Sequence, residues 1–474
     1  MRQLVALLSL SLLAACPSSP GGEPEPELSD AAGVRIDEIA VYQGVKRTLI
    51  ADGEEVDSEV PLIAGRDALV RVFVSSDDGY DGEAVTGRLH LGDEVIEVEV
   101  DRVRDESRDH RLDSTVNFVV PGDLVQDPLE WSVELLQQGE GTNEDARFPA
   151  DGTHETRVEG RANRLRLVIA PFSYEFDGSG RLPDLSEAQI ARIRDLFLGL
   201  YPVSDVQIRV RDPEPWDGEL RPDGTGWEWV GFQLFQMRGQ DGETDDAYYY
   251  GIFNPADTLE EYCGFQCLLG VTLLNNDPPD TGSVNLRLAL GVGFTESAPS
   301  TAVHEIGHSH GRQHAPCGPP SILEGIDPGY PNNTGDLDVW GWDIVHEELK
   351  APDEMTDFMG YCDPQWVSEY TYTALHRRGT NVNANLSVEG TFSYDVLWWD
   401  GATLRWVQTL DKPGPVAGKA VEVTALTDGN PSPRGGVFVP WDHLPGGVLL
   451  VLRGELEADR YEVTLDGRFA TAER

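Results

Sequence analysis

The feature that most constrains this chain is the stretch at residues 301–314, which contains the pattern H-E-x-x-H-x-x-G-x-x-H. On a helix, His304 and His308 lie one turn apart and project from the same face. Two imidazole groups in that arrangement can share one zinc ion at roughly 2.0–2.1 Å each. The stretch is therefore predicted to be a helix that carries a metal site.

Three further residues of the pattern predict a catalytic type of site. Glu305 is rotated off the ligand face, towards the coordination position that water would occupy. Gly311 can adopt the left-handed conformation that ends a helix, so that His314 can turn back as a third ligand. Three protein ligands leave the fourth position open, which is typical of catalytic zinc. The alternative is a solvated or buried helix without a metal, but four of the ten histidines fall within this pattern.

The pattern resembles the signature of the metzincin clan of zinc endopeptidases, and a second mark of that clan lies downstream. Residues 357–362 read D-F-M-G-Y-C, and the resemblance implies that Met359 lies beneath the zinc ligands in a methionine turn. It also implies that Tyr361 stands beside the metal. The segments around both motifs are similar to a bacterial branch related to the secreted mucin-degrading metzincins. The resemblance covers roughly residues 165–378.

The resemblance implies an α+β catalytic domain at residues 164–380, with a mixed sheet, a zinc helix and one catalytic zinc. It also implies zinc-dependent cleavage of peptide bonds in extracellular protein or glycoprotein substrates. Glu305 would be the general base that activates water, and Tyr361 would help to stabilise the oxyanion. The main alternative is a non-catalytic adhesin or glycoprotein-binding surface lipoprotein that retains a metzincin shell. A protease that cuts only one partner or itself is the second alternative.

The segment at residues 1–15 predicts a signal peptide, since one arginine precedes a leucine-rich run that is too short to span a bilayer. The run ends in Leu-Ala-Ala-Cys, which resembles the lipobox of bacterial lipoproteins. Cys16 would then be the lipidated N-terminus, and residues 16–33 would form a flexible tether rich in Pro, Ser, Gly and Glu. The alternatives are an ordinary secretory signal with a stray cysteine, or a short anchor.

Four cysteines remain besides the predicted lipidation site, and the resemblance suggests how they pair. In a metzincin, the segments that carry Cys317 and Cys362 both run beneath the zinc, so a bridge between them is expected. Closing that loop would contribute roughly 4 kcal/mol through the lost entropy of the unfolded chain. Cys263 and Cys267 would then pair across a tight loop. The alternative is a second metal site built from the four cysteines, although their spacing lacks paired C-x-x-C knuckles.

The net charge of −47 argues against nucleic acid and anionic lipid as partners. Membrane contact is therefore expected only through the lipid on Cys16. The predicted protein is exported to the bacterial cell envelope, at the outer membrane or the cell surface, and is a monomer.

Patterns rich in β-structure flank the predicted catalytic domain on both sides. Residues 34–137 contain strand-like runs separated by turns with Asp and Gly, which predicts a β-sandwich. The polar residues 138–163 are interpreted as a linker. Residues 383–474 predict a small C-terminal β-sandwich. Three of its tryptophans could stack on sugars, namely Trp398, Trp399 and Trp441. Tryptophans are more often packed in the core, however.

Segments around the metal pattern carry three further predictions. Residues 285–291 are predicted to be the edge strand of the cleft, where an extended peptide could add as a strand. Ser297 or Ser300 is expected to cap the zinc helix. Clustered oxygens beyond His314 could hold Ca²⁺ but equally suit a string of turns, and turns are the preferred interpretation. These oxygens belong to Asp327, Asn332, Asp336 and Asp338.

We expect Cys16→Ser to release the protein from membranes or to block its processing, because the predicted lipid is attached to that sulfur. Cell fractionation, with mass spectrometry of the mature N-terminus, measures both effects. Cys263→Ser is the matched control and should leave the location unchanged. A Cys16→Ser protein that remains membrane-bound and normally processed would rule out the lipid anchor.

Overall fold

The computed structural model describes residues 28–160, 164–264, 267–274, 286–318, 325–383, 391–413, 415–416 and 418–474. The predicted signal peptide, Cys16 and most of the predicted tether lie outside this part of the chain. Within it, the fold is multidomain and rich in β-structure, with five α-helices. None of the helices described there is long and apolar enough to cross a membrane.

The N-terminal region is a β-sandwich of two sheets that enclose one hydrophobic core. Its strands are Leu28–Asp30 (β1), Val34–Tyr42 (β2), Lys46–Ala51 (β3), Glu54–Glu55 (β4), Ala68–Ser76 (β5), Val85–Leu91 (β6), Glu94–Val100 (β7), Val116–Val120 (β8), Leu129–Gln138 (β9), Arg147–Phe148 (β10) and His154–Thr156 (β11). One sheet has the order β1-β9-β6-β7 and the other β4-β3-β2-β5-β8. Every second residue of β6 is buried, so the sheet presents one face to the core.

The polar segment interpreted as a linker, residues 138–163, instead contributes to this sandwich as far as the structure describes it. Both β10 and β11 pair antiparallel with β9. Trp131 Nε1 in β9 donates a hydrogen bond to Thr156 Oγ1 in β11 at 2.9 Å. Strands of two or three residues at a sheet edge are too short to show the alternation on which sequence patterns depend.

The central region is a mixed sheet with helices packed against it. Its elements are Arg164–Tyr174 (β12), Glu187–Leu200 (α1), Asp205–Val210 (β13), Glu214–Trp216 (β14), Trp227–Asp241 (α2), Ala247–Phe253 (β15), Leu259–Cys263 (α3), Gly270–Thr272 (β16), Leu288–Val292 (β17), Ala298–Ser309 (α4), Gly341–Asp343 (β18), Glu348–Lys350 (β19), Thr356–Asp357 (β20), Gln365–Trp366 (β21) and Glu369–Asn383 (α5). The main sheet has the order β13-β12-β15-β17-β16. Only β16 is antiparallel to its neighbour in this order.

The edge of the main sheet is formed by β16, so the prediction of an edge strand at residues 285–291 is wrong. β17, which contains the end of that segment, pairs with β15 on one side and with β16 on the other. All five residues of β17 are buried, as expected for a strand covered on both faces. The true edge strand has only three residues, so its sequence carries too short a pattern to detect.

The capping prediction for α4 is confirmed in its position but not in its hydrogen bond. Ser297 stands at the N-cap position, but its side chain makes no capping hydrogen bond. Ser300 lies within the helix, and its Oγ donates to Ser297 O at 3.0 Å. Proline in the first turn of α4 removes one of the backbone donors that a cap would otherwise satisfy.

The C-terminal region is one antiparallel sheet that curves into a half-barrel, not the predicted sandwich. Its strands are Thr391–Trp399 (β22), Leu404–Pro413 (β23), Lys419–Thr427 (β24), Asn430–Pro440 (β25), Gly447–Leu452 (β26), Arg460–Leu465 (β27) and Arg468–Glu473 (β28). The order is β23-β22-β26-β25-β24-β27-β28, and its two end strands contact one another. A curved sheet and a sandwich bury alternate residues in the same way, so the alternation does not distinguish them.

The half-barrel and the central region share one hydrophobic core. Trp398 and Trp441 are both buried, and their ring centroids lie 5.8 Å apart. Trp398 also packs edge-on against Phe232 of α2 at 5.3 Å. The Trp441 ring lies so close to Gly231 that a Cβ there would be 2.5 Å away. Together with buried Trp399, these contacts favour core packing over sugar stacking for the three tryptophans.

Arg66 joins the N-terminal sandwich to the central region. Its buried guanidinium donates to Val203 O at 2.7 Å and to Gly199 O at 3.3 Å, near the end of α1. Arg66 Nε also donates to Gln43 O, within the sandwich, at 2.9 Å. One side chain therefore satisfies buried carbonyl groups on both sides of the boundary.

We expect Arg66→Met to lower the free energy of unfolding by on the order of 3 kcal/mol, because buried carbonyls lose their donor. Urea denaturation followed by fluorescence measures the change. Arg35→Met is the control, since Arg35 is 55% exposed and pairs with Asp37 at the surface. Its cost should stay below about 1 kcal/mol. Equal effects of the two substitutions would show that Arg66 does not stabilise this boundary.

Candidate metal centre

The helix α4 holds two histidines of the pattern in a buried position. His304 and His308 are 9% and 1% exposed. Ala302 and Ile306 on the same helix pack into the core that α1 and the main sheet share. Tyr201 OH, which follows α1, donates to Val303 O at 2.6 Å. The ligand face of α4 is therefore fixed by packing on its other faces.

The three histidines of the pattern converge on one point. Nε2 of His308 lies 3.1 Å from Nε2 of His304 and 3.1 Å from Nε2 of His314. Two imidazole ligands of a tetrahedral zinc ion, each roughly 2.0–2.1 Å from it, are about 3.3 Å apart. The three nitrogen atoms therefore have the spacing of ligands that share one ion, and this group could hold a metal ion.

The other ring nitrogens determine which atoms of the histidines can bind a metal. His304 Nδ1 lies 2.9 Å from Phe358 O, and His308 Nδ1 lies 2.7 Å from Arg312 O. Because a carbonyl only accepts, each Nδ1 carries the hydrogen and donates it. Burial lowers the pKa of His304 to about 3 and holds the pKa of His308 well below its usual range.

Both rings are therefore neutral, and their Nε2 atoms carry lone pairs that face each other. Lone pairs at 3.1 Å repel unless a cation lies between them. Carbonyl groups that accept from the distal nitrogen are the usual partners that orient metal-binding histidines. The residues present thus fit a bound metal ion.

Gly311 allows the chain to reverse after α4, so that the third histidine reaches the site. α4 ends at Ser309, and Gly311 has φ +80°, the left-handed conformation expected from the sequence. Its N–H donates to His308 O at 2.8 Å. The chain then reverses, so that His314 approaches the ligands on α4.

Glu305 lies beside the three ligands and beneath the edge strand β16. Its side chain is buried, and its Oε2 has no hydrogen-bond partner among the described residues. A Cβ on Gly270 of β16 would lie 2.4 Å from Glu305 Oε1, so only glycine lets the strand pass this close. Burial, with a smaller contribution from Asp442, raises the pKa of Glu305 well above its usual range.

The segment around Met359 supports the ligand helix from below. Met359 Sδ packs against Gly307, where a Cβ would lie 2.4 Å from the sulfur. Asp357 Oδ1 accepts from Met359 N at 2.8 Å, which fixes the turn. Met359 O accepts from Ala315 N at 3.1 Å, next to the third ligand. The methionine therefore lies under both parts of the histidine pattern, where the sequence suggested.

The cysteines lie in the two pairs expected from the sequence. Cys317 and Cys362 have a Cα–Cα distance of 5.6 Å, and Cys263 and Cys267 have one of 4.6 Å. Tyr361 N also donates to Cys317 O at 2.7 Å. The segment after the third ligand is therefore joined to the Met359 turn, and the alternative of a four-cysteine metal site is wrong.

Tyr361 stands at the metal centre through its hydroxyl group. Tyr361 OH lies 2.8 Å from His314 Nε2 and 2.8 Å from His443 Nε2. Burial raises the pKa of Tyr361, and nearby Glu305 adds to this effect. The hydroxyl therefore keeps its hydrogen and can donate it.

Two residues at this centre were missed by sequence reasoning, Asp442 and His443. Both follow β25 in the half-barrel and lie more than a hundred positions from the histidine pattern. Asp442 forms a second group with Glu305 and His308, in which the ligand atoms all lie within 4.8 Å of one another. Burial raises the pKa of Asp442 to about 7. In the sequence, the only sign that Asp442 and His443 belong to this site is that an acid stands next to a histidine. Such pairs are too common to indicate a site.

Other candidate residues lie outside the centre. His310, the fourth histidine of the stretch, stacks on Tyr248 with ring centroids 4.3 Å apart. In the segment of clustered oxygens, Asn332 Oδ1 accepts from Thr334 N and Gly335 N at 3.1 and 2.8 Å, which is the geometry of a turn, the preferred interpretation. Asp327 pairs with Arg312 instead. In the part of the chain that the structure describes, both groups able to hold a metal include His308.

Comparisons with known proteins do not assign the chain to a family. No family model matches it, and no curated protein matches it. A solved structure described as a chaperone–substrate complex is 10% identical, with a TM-score of 0.25. The match covers 57% of this chain and 40% of that one. A likeness at this TM-score carries no argument about fold or function.

We expect His304→Ala, His308→Ala and His314→Ala each to remove most of the bound metal, because two nitrogen ligands hold an ion far less tightly than three. Metal analysis of the purified, dialysed proteins measures the occupancy per chain. His346→Ala is the control, since that side chain is 65% exposed and pairs with Asp343. Full occupancy in any of the three variants would remove that histidine from the ligand set.

Proposed function

We propose that this protein is a zinc endopeptidase of the metzincin type that cleaves extracellular proteins or glycoproteins. The observation that carries the proposal is the convergence of three histidines, with His308 Nε2 3.1 Å from Nε2 of each of the other two and Glu305 beside them. Three imidazole ligands suit zinc, and a carboxylate next to the ligands is what a hydrolytic site requires.

The fold around the site is consistent with the clan that the histidine pattern resembles. The main sheet is parallel apart from the antiparallel edge strand β16. The ligand helix α4, the Met359 turn and the closing helix α5 follow in the order that the resemblance implies. These observations concern the fold only. The assignment to the metzincins rests on the histidine pattern and on the motif around Met359.

Glu305 and Tyr361 would carry out the proton transfers and the charge stabilisation. When bound, the zinc ion would supply Lewis-acid chemistry that acidifies a water molecule and polarises the scissile carbonyl. Glu305 would take the proton from the attacking water and pass it to the leaving amine. Tyr361 would donate its hydroxyl hydrogen to the oxygen that becomes negatively charged. Glu305 is buried and Tyr361 is partly buried, which strengthens these interactions because less water screens them.

The edge strand β16 would position the substrate. Its backbone passes directly over Glu305 at Gly270. An extended peptide that pairs with such an edge is held by main-chain hydrogen bonds, which do not depend on its side chains. The substrate class is therefore an extended or locally unfolded segment of a protein.

An exported location is part of the same proposal. Two cysteine pairs at disulfide geometry are typical of proteins outside the reducing cytosol. The lipid on Cys16 would hold the enzyme at the cell envelope, with the acidic body kept away from anionic lipid by its charge.

A non-catalytic metal protein is the second candidate, and one observation favours it. A segment of the half-barrel already pairs with β16 beside the histidines. Incubation of the protein with unfolded casein, with and without a chelator, distinguishes the two candidates. Cleavage that the chelator stops supports the peptidase, and no cleavage by any form of the protein supports the non-catalytic role.

We expect Glu305→Gln to keep its metal but to lose roughly 10²–10⁴ in rate on a cleaved substrate, the usual scale for a general base. Initial rates on unfolded casein and metal analysis of the same samples measure both properties. Glu296→Gln is the control, because Glu296 is exposed just before α4. Unchanged turnover in Glu305→Gln would refute the assigned role.

A further inference from the structure

The turn between β2 and β3 carries the N-terminal sandwich into the central region. Gly44 O, in this β2–β3 turn, accepts from Trp366 Nε1 at 2.7 Å and from Trp342 N at 3.1 Å. Gln43 O accepts from Tyr372 OH at 2.6 Å. Gly44 has φ +112°, and a Cβ there would lie 3.1 Å from Tyr372 Cε2, so glycine suits this close contact. Three donors of the central region therefore hold one turn of the sandwich.

The β2–β3 turn also contributes to the packing beneath the ligand helix. Val45 is buried, and it belongs to the hydrophobic core that contains Ala302 and Ile306 of α4. Met359 lies in the same core. A side chain of the sandwich is thus part of the apolar support of the metal centre.

The Trp366 side chain lies in a narrow slot that fixes its ring. It is buried, and a Cβ on Gly341 would lie 2.5 Å from Trp366 Nε1. A Cβ on Gly199, near the end of α1, would lie 3.0 Å from the other end of the ring. A buried indole N–H usually finds an acceptor, and here it donates to Gly44 O of the sandwich. The orientation of this ring is therefore tied to the β2–β3 turn.

The backbone of Trp366 continues the path to the first metal ligand. Trp366 pairs with Asp357 where β20 and β21 run parallel. Trp366 O accepts from Phe358 N at 2.7 Å. Phe358 O in turn accepts from His304 Nδ1 at 2.9 Å. The carbonyl group that orients His304 thus belongs to a segment that Trp366 holds.

We propose that Trp366 is a positioning residue for His304, and that the N-terminal sandwich is in this way a part of the metal centre. Carbonyl groups that accept from the outer nitrogen of a metal-binding histidine set the orientation of its ring, and their loss weakens metal binding. Because coupling between two sites is reciprocal, a bound ion should also stabilise the contact between Trp366 and the β2–β3 turn. This role depends on metal binding and not on the proposed peptidase activity.

Trp366→Phe in the full-length protein tests the path. The variant keeps an aromatic ring in the slot but removes the N–H that Gly44 O accepts. We expect its zinc dissociation constant to rise about tenfold, at the lower end of the effect of residues that orient metal ligands. Competition with a chromophoric zinc chelator measures this constant. An unchanged affinity in Trp366→Phe would overturn the proposal.

Trp342→Phe is the matched control. The Trp342 ring is buried at the same boundary, but it lies in a small core with Tyr42 and Phe73 of the sandwich. Its link to Gly44 O uses the backbone N–H, which the substitution keeps. Urea denaturation should show lower stability in both variants, whereas only Trp366→Phe should bind zinc more weakly. Equal weakening in the two variants would show that affinity follows general stability, which would also overturn the proposal.

Hydrogen exchange of the wild type keeps the proposal testable if Trp366→Phe folds poorly. Lys46 N donates to Trp340 O at 2.7 Å, and Trp342 N donates to Gly44 O, so both amides report opening of this contact. Adding Zn²⁺ to the metal-free protein should slow their exchange at least about fivefold. The control is β7, which lies at the edge of the other sheet of the sandwich and should exchange at an unchanged rate. Exchange at Lys46 and Trp342 that does not respond to Zn²⁺ would contradict the coupling.

None of these measurements uses cleavage of a substrate. A zinc site coupled to the sandwich, in a protein that leaves casein intact, would uphold the role of Trp366 and overturn the peptidase. A wild-type protein that does not bind zinc would overturn both.

Discussion

Three imidazole nitrogens directed at one point are the arrangement on which the rest of this structure depends. Carbonyl oxygens of Phe358 and Arg312 fix the hydrogens of His304 and His308 on the outer nitrogens, so the inner nitrogens can only accept. That cluster is unfavourable without a cation, which makes ion binding and folding of this region one linked equilibrium. The Met359 turn and the Cys317–Cys362 pair serve this arrangement, because they join the segment after the third ligand to the floor of the site.

The site is assembled from parts of the chain that belong to different domains. The sandwich contacts the central region through Arg66, and the half-barrel shares its core with α2 through Trp398 and Trp441. Because Trp441 is buried in that shared core, the two residues after it are carried into the metal centre at a fixed position. The packing of apolar side chains between domains thus determines which polar groups lie around the three histidines.

The sequence predicted the parts of the site that depend on local spacing. His304, His308, Gly311 and Met359 lie where helix periodicity and the clan motifs implied. The prediction failed where the outcome depends on contacts between distant segments. The edge strand β16 has three residues and no detectable alternation, and the half-barrel buries alternate residues as a sandwich would. Asp442 was missed for the same reason, since no spacing rule relates a strand end to a helix far away in the chain.

The edge strand explains why a distant segment lies at this site at all. The edge of a sheet presents unpaired backbone N–H and C=O groups, and such edges promote aggregation unless they are covered. Pairing the edge of β16 with residues 440–443 satisfies these groups within one chain. The covering segment also carries Asp442, whose Oδ2 lies 3.8 Å from His308 Nε2. The same backbone pairing therefore protects the edge and carries residues of the half-barrel to the histidine cluster.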